Sequence, residues 1–128
     1  MGRKVKSRRP DILDAVLDGD HAKLERLLTE GSDVNARDTA GWTALHFAAQ
    51  RQDAAQIRRL LAAGADVEAT DDFGNTPLWR AVFCYRGDAS AISALRAGGA
   101  DQHRLNKSGV SPRILADTIA NHNVASVL

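Results

Sequence analysis

A repeating unit of 33 residues limits the fold of this chain more than any other feature of its sequence. Gly41 is followed by Gly74, and the segment GSDV at 31–34 returns as GADV at 64–67. The next unit is two residues longer, since the glycine after Gly74 in this register is Gly109. A period of this length is typical of solenoids, in which each small unit buries its apolar face by stacking on a neighbour.

Each unit reads as a helix, a turn, a second helix and a loop. Hydroxyl residues suited to cap a helix N-terminus precede the first helices, at Thr43, Thr76 and Ser111. Proline follows two of them, at Pro77 and Pro112. Proline is tolerated at the first helical position because its missing N–H would have no partner there. These residues predict where the first helices begin.

The second helices are indicated by apolar residues three and four positions apart, which share one face of a helix. Each is predicted to end at a glycine, the residue that most easily takes the left-handed conformation beyond a helix end. Helices of about ten residues are marginal alone, so these faces must be buried against neighbouring units. The apolar positions are Leu24, Leu27, Leu28, Ile57, Leu60, Leu61, Ile92 and Leu95, and the glycines are Gly31, Gly64 and Gly99.

The two extra residues of the longer unit are predicted to lie in the turn between its helices. FCYRGD at 83–88 must match the shorter QRQD at 50–53 if Ile92 is to match Ile57. The insertion therefore lengthens a turn and leaves both helices intact.

The units resemble the ankyrin repeat, which has a period of about 33 residues and the signature TPLHxA. The signature is present as TALHFA at 43–48 and, altered, as TPLWRA at 76–81. The resemblance implies an all-α fold, an ankyrin-repeat solenoid of stacked helix-turn-helix units with hairpin loops. The terminal unit departs from the pattern, because Arg113 stands where leucine is usual. The expected organisation is a basic flexible tail at 1–10 and a repeat domain at 11–128, with units at about 11–35, 36–68, 69–103 and 104–128.

His46 is predicted to hold a helix start rather than to do chemistry. It follows Thr43 by three residues, where a polar side chain can bond back to the N-cap residue in a capping box. Trp79 takes the same position in the next unit, and a group exchanged in this way is not expected to be catalytic. The ankyrin resemblance implies the same structural role.

The other candidates for chemistry give no reason to expect an enzyme, a metal site or a cofactor. His21, His103 and His122 lie in different units without paired ligand spacing, and Cys84 has no second cysteine to join it. The motifs GxSxG, GxxxxGK and GxGxxG are missing. No apolar run reaches about 18 residues, and the N-terminus lacks the apolar centre of a secretory signal. The chain is therefore expected to be cytoplasmic and free of membranes.

The charge is unevenly distributed along the chain. Five of the 17 Lys and Arg residues precede Pro10 and all 16 Asp and Glu residues follow it, so the remainder has a net charge of −4. Three interpretations of the basic segment stay open: a solvated mobile terminus, a segment that binds nucleic acid, and an import address. Its basic residues are Arg3, Lys4, Lys6, Arg8 and Arg9.

The ankyrin resemblance implies a binding surface formed by the loop tips and by the exposed side of the first helices. The predicted loop-tip residues are Thr39, Ala40, Trp42, Asp72, Phe73, Asn75, Lys107, Ser108 and Val110. The predicted first-helix residues are Gln50, Arg51, Phe83 and Cys84.

All six aromatic residues of the chain lie between positions 42 and 85. Phe47 and Trp79 are expected to pack between helices. Large aromatics left in water are frequent in interface hot spots, so the others predict an aromatic and basic patch around the lengthened turn. The alternative is that these rings only shield the junction between repeats. The predicted patch consists of Trp42, Phe73, Phe83, Tyr85, Arg80 and Arg86.

The predicted function is that of a non-enzymatic, monomeric module that binds another protein through its concave face. The chain also resembles small stand-alone bacterial ankyrin-repeat proteins, some of which act as immunity proteins or antitoxins. That likeness implies a toxin or an enzyme as partner, with the acidic body covering a basic surface. The alternative is a nucleic-acid-associated adaptor that uses the basic segment, with the repeats as a tether.

Overall fold

Short helices make up all of the regular secondary structure in residues 9–119 and 124–128, the part of the chain that a computed structural model describes. No strand occurs within these ranges. The seven α-helices found there are α1 (Asp11–Leu17), α2 (His21–Thr29), α3 (Ala44–Gln50), α4 (Ala54–Ala62), α5 (Pro77–Phe83), α6 (Ser90–Ala97) and α7 (Pro112–Thr118), and a 3-10 helix covers Ala125–Val127.

Side-chain caps begin the helices where the hydroxyl residues predicted them. The hydroxyl of Thr76 accepts a hydrogen bond from the Trp79 amide at 3.2 Å, and Ser111 accepts one from the Ile114 amide at 3.1 Å. Pro77 and Pro112 are the first residues of α5 and α7. The predicted helix starts are therefore confirmed. The glycines predicted to end the second helices also have positive φ angles, at Gly31, Gly64 and Gly99.

The helices form two layers. In one layer α1 packs against α3, α3 against α5, and α5 against α7. In the other layer α4 packs against α6, and α2, α4 and α6 each pack against the first helix of their own unit. Burial of the apolar stripes between these elements confirms the stacked helix-turn-helix arrangement. The fully buried stripe residues include Leu24, Ile57, Leu60, Ile92 and Leu95, whereas Leu28 and Leu61 are partly buried at the edge of the core.

The insertion lies in the turn between α5 and α6, as the repeat alignment predicted. This turn runs from Cys84 to Ala89, whereas residues 51–53 are sufficient to connect α3 to α4. Tyr85 is the exception to the expected exposure of the turn, because its side chain is only 8% exposed and belongs to the core. The additional residues thus allow one aromatic ring to fold inward beneath the turn.

Arg113 connects α7 to the last described residues of the chain. Its guanidinium donates a hydrogen bond to the Ala125 carbonyl at 3.1 Å and lies 3.3 Å from the Asp117 carboxylate. Val124 is fully buried beside the 3-10 helix. The arginine in the usual leucine position therefore ties the C-terminal residues to α7.

Candidate binding surface

Three loops in front of α3, α5 and α7 share one conformation. In each, the side chain of an Asp or Asn accepts hydrogen bonds from the backbone amides two and four residues later, at 2.9–3.0 Å. Short polar side chains favour such local bonds to the backbone. The residues are Asp38, Asp71 and Asn106. These three residues were not among the predicted site residues, although their spacing follows the repeat and would have identified them.

The loops are also bonded to one another. The Asp72 amide donates to the Ala40 carbonyl at 3.0 Å, and the Lys107 amide donates to the Phe73 carbonyl at 3.0 Å. These bonds place the three loop tips side by side. The tips therefore form a continuous row along the stack.

His46 joins its own loop to the next one. The Thr43 amide donates to Nδ1 of His46 at 3.1 Å, while Thr43 Oγ1 accepts a hydrogen bond from the His46 amide at 3.4 Å. This is the predicted capping box, and it is confirmed. Nδ1 acts as an acceptor, so we assign the proton to Nε2, which lies 2.8 Å from the Asn75 carbonyl and donates to it. The ring therefore bridges two units and is fully buried.

Burial lowers the pKa of His46 below its ordinary value of 6.5. The hydrogen bond to Asn75 and the charge of Asp71 act in the opposite direction and offset this only in part. A second proton on the ring would also turn Nδ1 from an acceptor into a donor facing the Thr43 amide. The folded chain therefore holds His46 in its neutral form.

The neutral state of His46 is expected to make the fold less stable in mild acid. Below the unfolded-state pKa of about 6.5 the unfolded chain binds more protons, so stability falls as the pH falls towards the folded-state pKa. The loss in unfolding free energy is at most about 1.4 kcal/mol per pH unit. Above about pH 6.5 the contribution of neutral His46 to stability is fully present. Urea unfolding at about pH 7.5, 6.5 and 5.5 measures this slope.

The matched variants for this experiment are His46→Gln and His103→Gln. His103 is exposed, so its replacement is expected to leave the pH dependence of the unfolding free energy unchanged. His46→Gln is expected to flatten that dependence. An unaltered slope in the His46 variant would contradict the assignment.

Four rings and one guanidinium form the ring cluster, defined as Trp42, Phe47, Trp79, Arg80 and Phe83. The centroids of Trp42 and Phe47 lie 4.7 Å apart, and Trp79 stacks on Phe83 at 5.5 Å with 17° between the ring planes. Arg80 connects the two pairs, since its Cζ atom lies 4.6 Å from the Trp42 centroid and 5.5 Å from those of Trp79 and Phe83. The cluster thus joins residues from two successive units.

Most of the residues predicted for the binding surface reach solvent, but two do not. The Asn75 side chain is 6% exposed and accepts a hydrogen bond from the Asn106 amide group at 2.8 Å, so it supports the loops from within. The expected exposure is therefore wrong for Asn75 and for Tyr85. Trp42, Gln50, Arg80, Cys84 and Val110 are partly buried. The exposed residues are Thr39, Ala40, Arg51, Asp72, Phe73, Phe83, Arg86, Lys107 and Ser108.

The structure also alters the composition of the predicted aromatic and basic patch. Phe47 and Trp79, expected to pack between helices, are partly buried and contact the rings that reach solvent. The cation in contact with the rings is Arg80, while Arg86 is exposed on the inserted turn. Phe47 and Arg80 are 33 residues apart and so occupy the same position in successive units. That equivalence is the sequence signal that would have placed them on one face.

The surface is open rather than enclosed. No pocket is present in the described part of the chain, and no group of three His, Cys, Asp or Glu side chains there is arranged to hold a metal ion. None of the helices in the described ranges is long and apolar enough to cross a bilayer. The loop tips and the exposed part of the ring cluster lie on this open surface.

Stacked helix pairs with a row of bonded loop tips define a helical repeat protein that offers an extended surface to a partner. The chain belongs to the ankyrin-repeat family, because the family model described as Ankyrin repeats (3 copies) matches residues 12–106. Ankyrin repeats are a non-enzymatic module and generally mediate protein–protein interaction. The terminal unit lies almost wholly beyond the matched residues.

A curated relative is similar over most of this chain. It is the 2-5A-dependent ribonuclease of Mus musculus, which is 33% identical over 115 residues. The similarity covers 89% of this chain and 11% of the relative, so the chain spans only a small part of that protein.

Proposed function

We propose that this chain is a non-enzymatic module that binds a partner protein through its loop tips and the ring cluster on its concave face. One observation carries the proposal: Phe83, a member of the ring cluster, and Phe73, on a loop tip, remain 54% and 69% exposed on an open surface. Large rings in water cost free energy unless a partner covers them, and such rings are frequent in interface hot spots. The loop bonds support the same function, because they present the tips in a fixed arrangement before binding.

Replacement of Phe83 or Trp42 by alanine is expected to weaken partner binding by at least about 1 kcal/mol, or roughly fivefold or more in Kd. The physical reason is the loss of apolar contact area at the centre of the ring cluster. Partners captured from cells that encode the chain, and identified by mass spectrometry, provide the ligand. Isothermal titration then measures Kd for each variant.

Leu105→Ala is the matched control for this experiment. Leu105 is 58% exposed, close to the exposure of Phe83, but it precedes α7 and is not a member of the ring cluster. Its replacement is expected to leave Kd within about twofold. Binding that is unchanged in both cluster variants, or equally weakened by Leu105→Ala, would remove the ring cluster from the interface.

The partner class that fits the acidic body is a toxin or an enzyme with a basic surface, which would make the chain an immunity or antitoxin protein. The support is the net charge of −4 over residues 10–128. Opposite charges steer association, so the rate of complex formation should fall as salt is added. We further propose that the chain is a monomer and that it is located in the cytoplasm. Light scattering of the purified chain tests the monomeric state by measuring its mass.

The second candidate function is a nucleic-acid-associated adaptor, favoured by the clustering of five basic residues ahead of Pro10. Four of them, Arg3, Lys4, Lys6 and Arg8, lie outside the described residues. The fifth, Arg9, forms an ion pair with Asp14 at 2.9 Å.

Deletion of residues 1–9 separates the two functions. If the segment binds nucleic acid, the deletion is expected to abolish a salt-sensitive interaction with DNA or RNA, because neutralised phosphates release counterions. Fluorescence anisotropy with a labelled oligonucleotide at two salt concentrations measures that interaction. Loss of protein binding with no change in oligonucleotide binding would count against the adaptor.

A further inference from the structure

Arg80 is the described arginine that is partly buried and yet has no acceptor for its N–H groups. Eight other described arginines place the guanidinium on a carboxylate or a backbone carbonyl. Arg58 and Arg86 have no such partner either, but both are exposed and can be hydrated. For Arg80, Nε is buried and forms no hydrogen bond with the described residues. An unsatisfied donor of this kind is costly to bury.

The ring contacts of Arg80 do not satisfy its hydrogen-bonding capacity. Trp42, Trp79 and Phe83 lie 4.6–5.5 Å from Cζ and interact with the cation through their π systems. The five N–H donors of a guanidinium lie in its plane and need oxygen acceptors. Asp71 forms no hydrogen bond or ion pair with it: Oδ1 of Asp71 accepts from the amides of Phe73 and Asn75 in its own loop, and Oδ2 is buried without a hydrogen-bond partner. Within the described residues, the positive charge of Arg80 therefore forms no ion pair.

We infer that Arg80 is the anchor for a carboxylate on the partner, and that the partner segment places an Asp or Glu next to an apolar residue. This inference rests on the proposed function and names the chemistry that the protein-binding surface recognises. A carboxylate can accept two parallel hydrogen bonds from the terminal N–H groups of Arg80, which reach the surface, whereas the buried Nε does not. Phe83, whose ring centroid lies 5.5 Å from Cζ of Arg80, supplies exposed apolar area for the neighbouring residue. The charge of Arg80 thus selects one carboxylate at this position of the partner segment, whatever the charge of the rest of the partner.

A single cation favours a carboxylate over a phosphate group. Phosphate recognition commonly uses a cluster of arginines, whereas the ring cluster contains Arg80 alone. Arg37, on the loop before α3, already donates to the carbonyls of Gly41 and Thr70. The surface therefore matches an anion of unit charge beside an apolar side chain.

A displayed library of random 12-residue peptides, selected on the full chain, tests the inference. The selected peptides are expected to be enriched in Asp or Glu beside an aromatic or aliphatic residue. The best peptide is then synthesised with its acid and with the corresponding amide, Asn or Gln. Tryptophan fluorescence measures Kd, since both tryptophans of the chain contact Arg80.

The expected result is coupling between Arg80 and the peptide acid. Arg80→Gln and the acid-to-amide peptide are each expected to weaken binding about tenfold or more, and the two changes combined are expected to cost little beyond either alone. Arg58→Gln is the matched control, because Arg58 also lacks a partner but is exposed on α4. It is expected to leave Kd unchanged. The amide peptide on the unaltered chain gives the same information if the Arg80 variant folds poorly.

Three outcomes would overturn the inference. In the first, the selected peptides contain no acid, and their affinity falls with Phe83→Ala but not with Arg80→Gln. This result would support the protein-binding surface but contradict the recognition of a carboxylate by Arg80. In the second, the peptides bind both variants with the affinity of the unaltered chain, or no peptide is enriched over the bare support. This result would contradict the proposed binding surface as well. Displacement of the peptide by an RNA oligonucleotide that itself loses affinity with Arg80→Gln would assign Arg80 to nucleic acid instead.

Discussion

Leu60→Ala is expected to lower the free energy of unfolding by roughly 2 to 5 kcal/mol. Leu60 is fully buried on α4, which packs against both α3 and α6. The change removes apolar contact area and leaves a cavity that helices held on two sides cannot close. Small domains are stable by only about 5 to 15 kcal/mol, so the variant loses a large share of its stability. Urea unfolding followed by circular dichroism measures the difference.

The control for Leu60 comes from the same helix. Arg58→Ala removes an exposed side chain of α4 and is expected to change the unfolding free energy by no more than about 0.5 kcal/mol. Similar losses in the two variants would mean that helix propensity, rather than burial between units, decides the cost. A loss below about 1 kcal/mol in Leu60→Ala would contradict the stacked core.

Gly74→Ala is the second change with a large expected effect, a loss of roughly 2 to 5 kcal/mol. Gly74 has a φ angle of +80°, which an L residue adopts only with strain. A Cβ atom there would also lie 2.9 Å from the backbone nitrogen of Lys107, closer than non-bonded atoms tolerate. Relief of the clash requires the two loops to separate, which breaks the Lys107 to Phe73 bond. Thermal unfolding is expected to show a clearly lowered Tm.

Gly64→Ala separates backbone strain from the contact between loops. Gly64 has a φ angle of +96°, but no atom lies within 4 Å of the position where its Cβ would stand. Its replacement is expected to cost only the conformational strain, about 1 to 2 kcal/mol. Equal losses at the two glycines would show that the loops are not in close contact at Gly74.

Stability and binding are coupled in this chain because the ring cluster spans two units. Trp42 lies on the loop before α3, whereas Arg80 and Phe83 belong to α5. The loop bonds and His46 hold these units in register. A variant that separates the loops, such as Gly74→Ala, should therefore weaken partner binding even though Gly74 itself is not proposed to contact the partner.

Much of the fold follows from the sequence alone. Thr43, Thr76 and Ser111 predicted helix starts, and the apolar spacing around Ile57 and Leu60 predicted a buried helix face. These predictions were confirmed because capping and periodicity depend on residues within four positions of each other. Because the units repeat, each local pattern occurs several times and the units can be aligned with one another. That alignment placed the two-residue insertion in the correct turn.

The burial of individual side chains was decided by the tertiary structure. Tyr85 and Asn75 were expected at the surface, but Tyr85 folds beneath the inserted turn and Asn75 bonds to the next loop. The contact between Trp42 and Arg80 joins residues far apart in the sequence, and its distance depends on how α3 and α5 stack. Periodicity assigns a residue to a face of its own helix. Only the packing of whole units determines which side chains from neighbouring units meet there and which remain exposed to solvent.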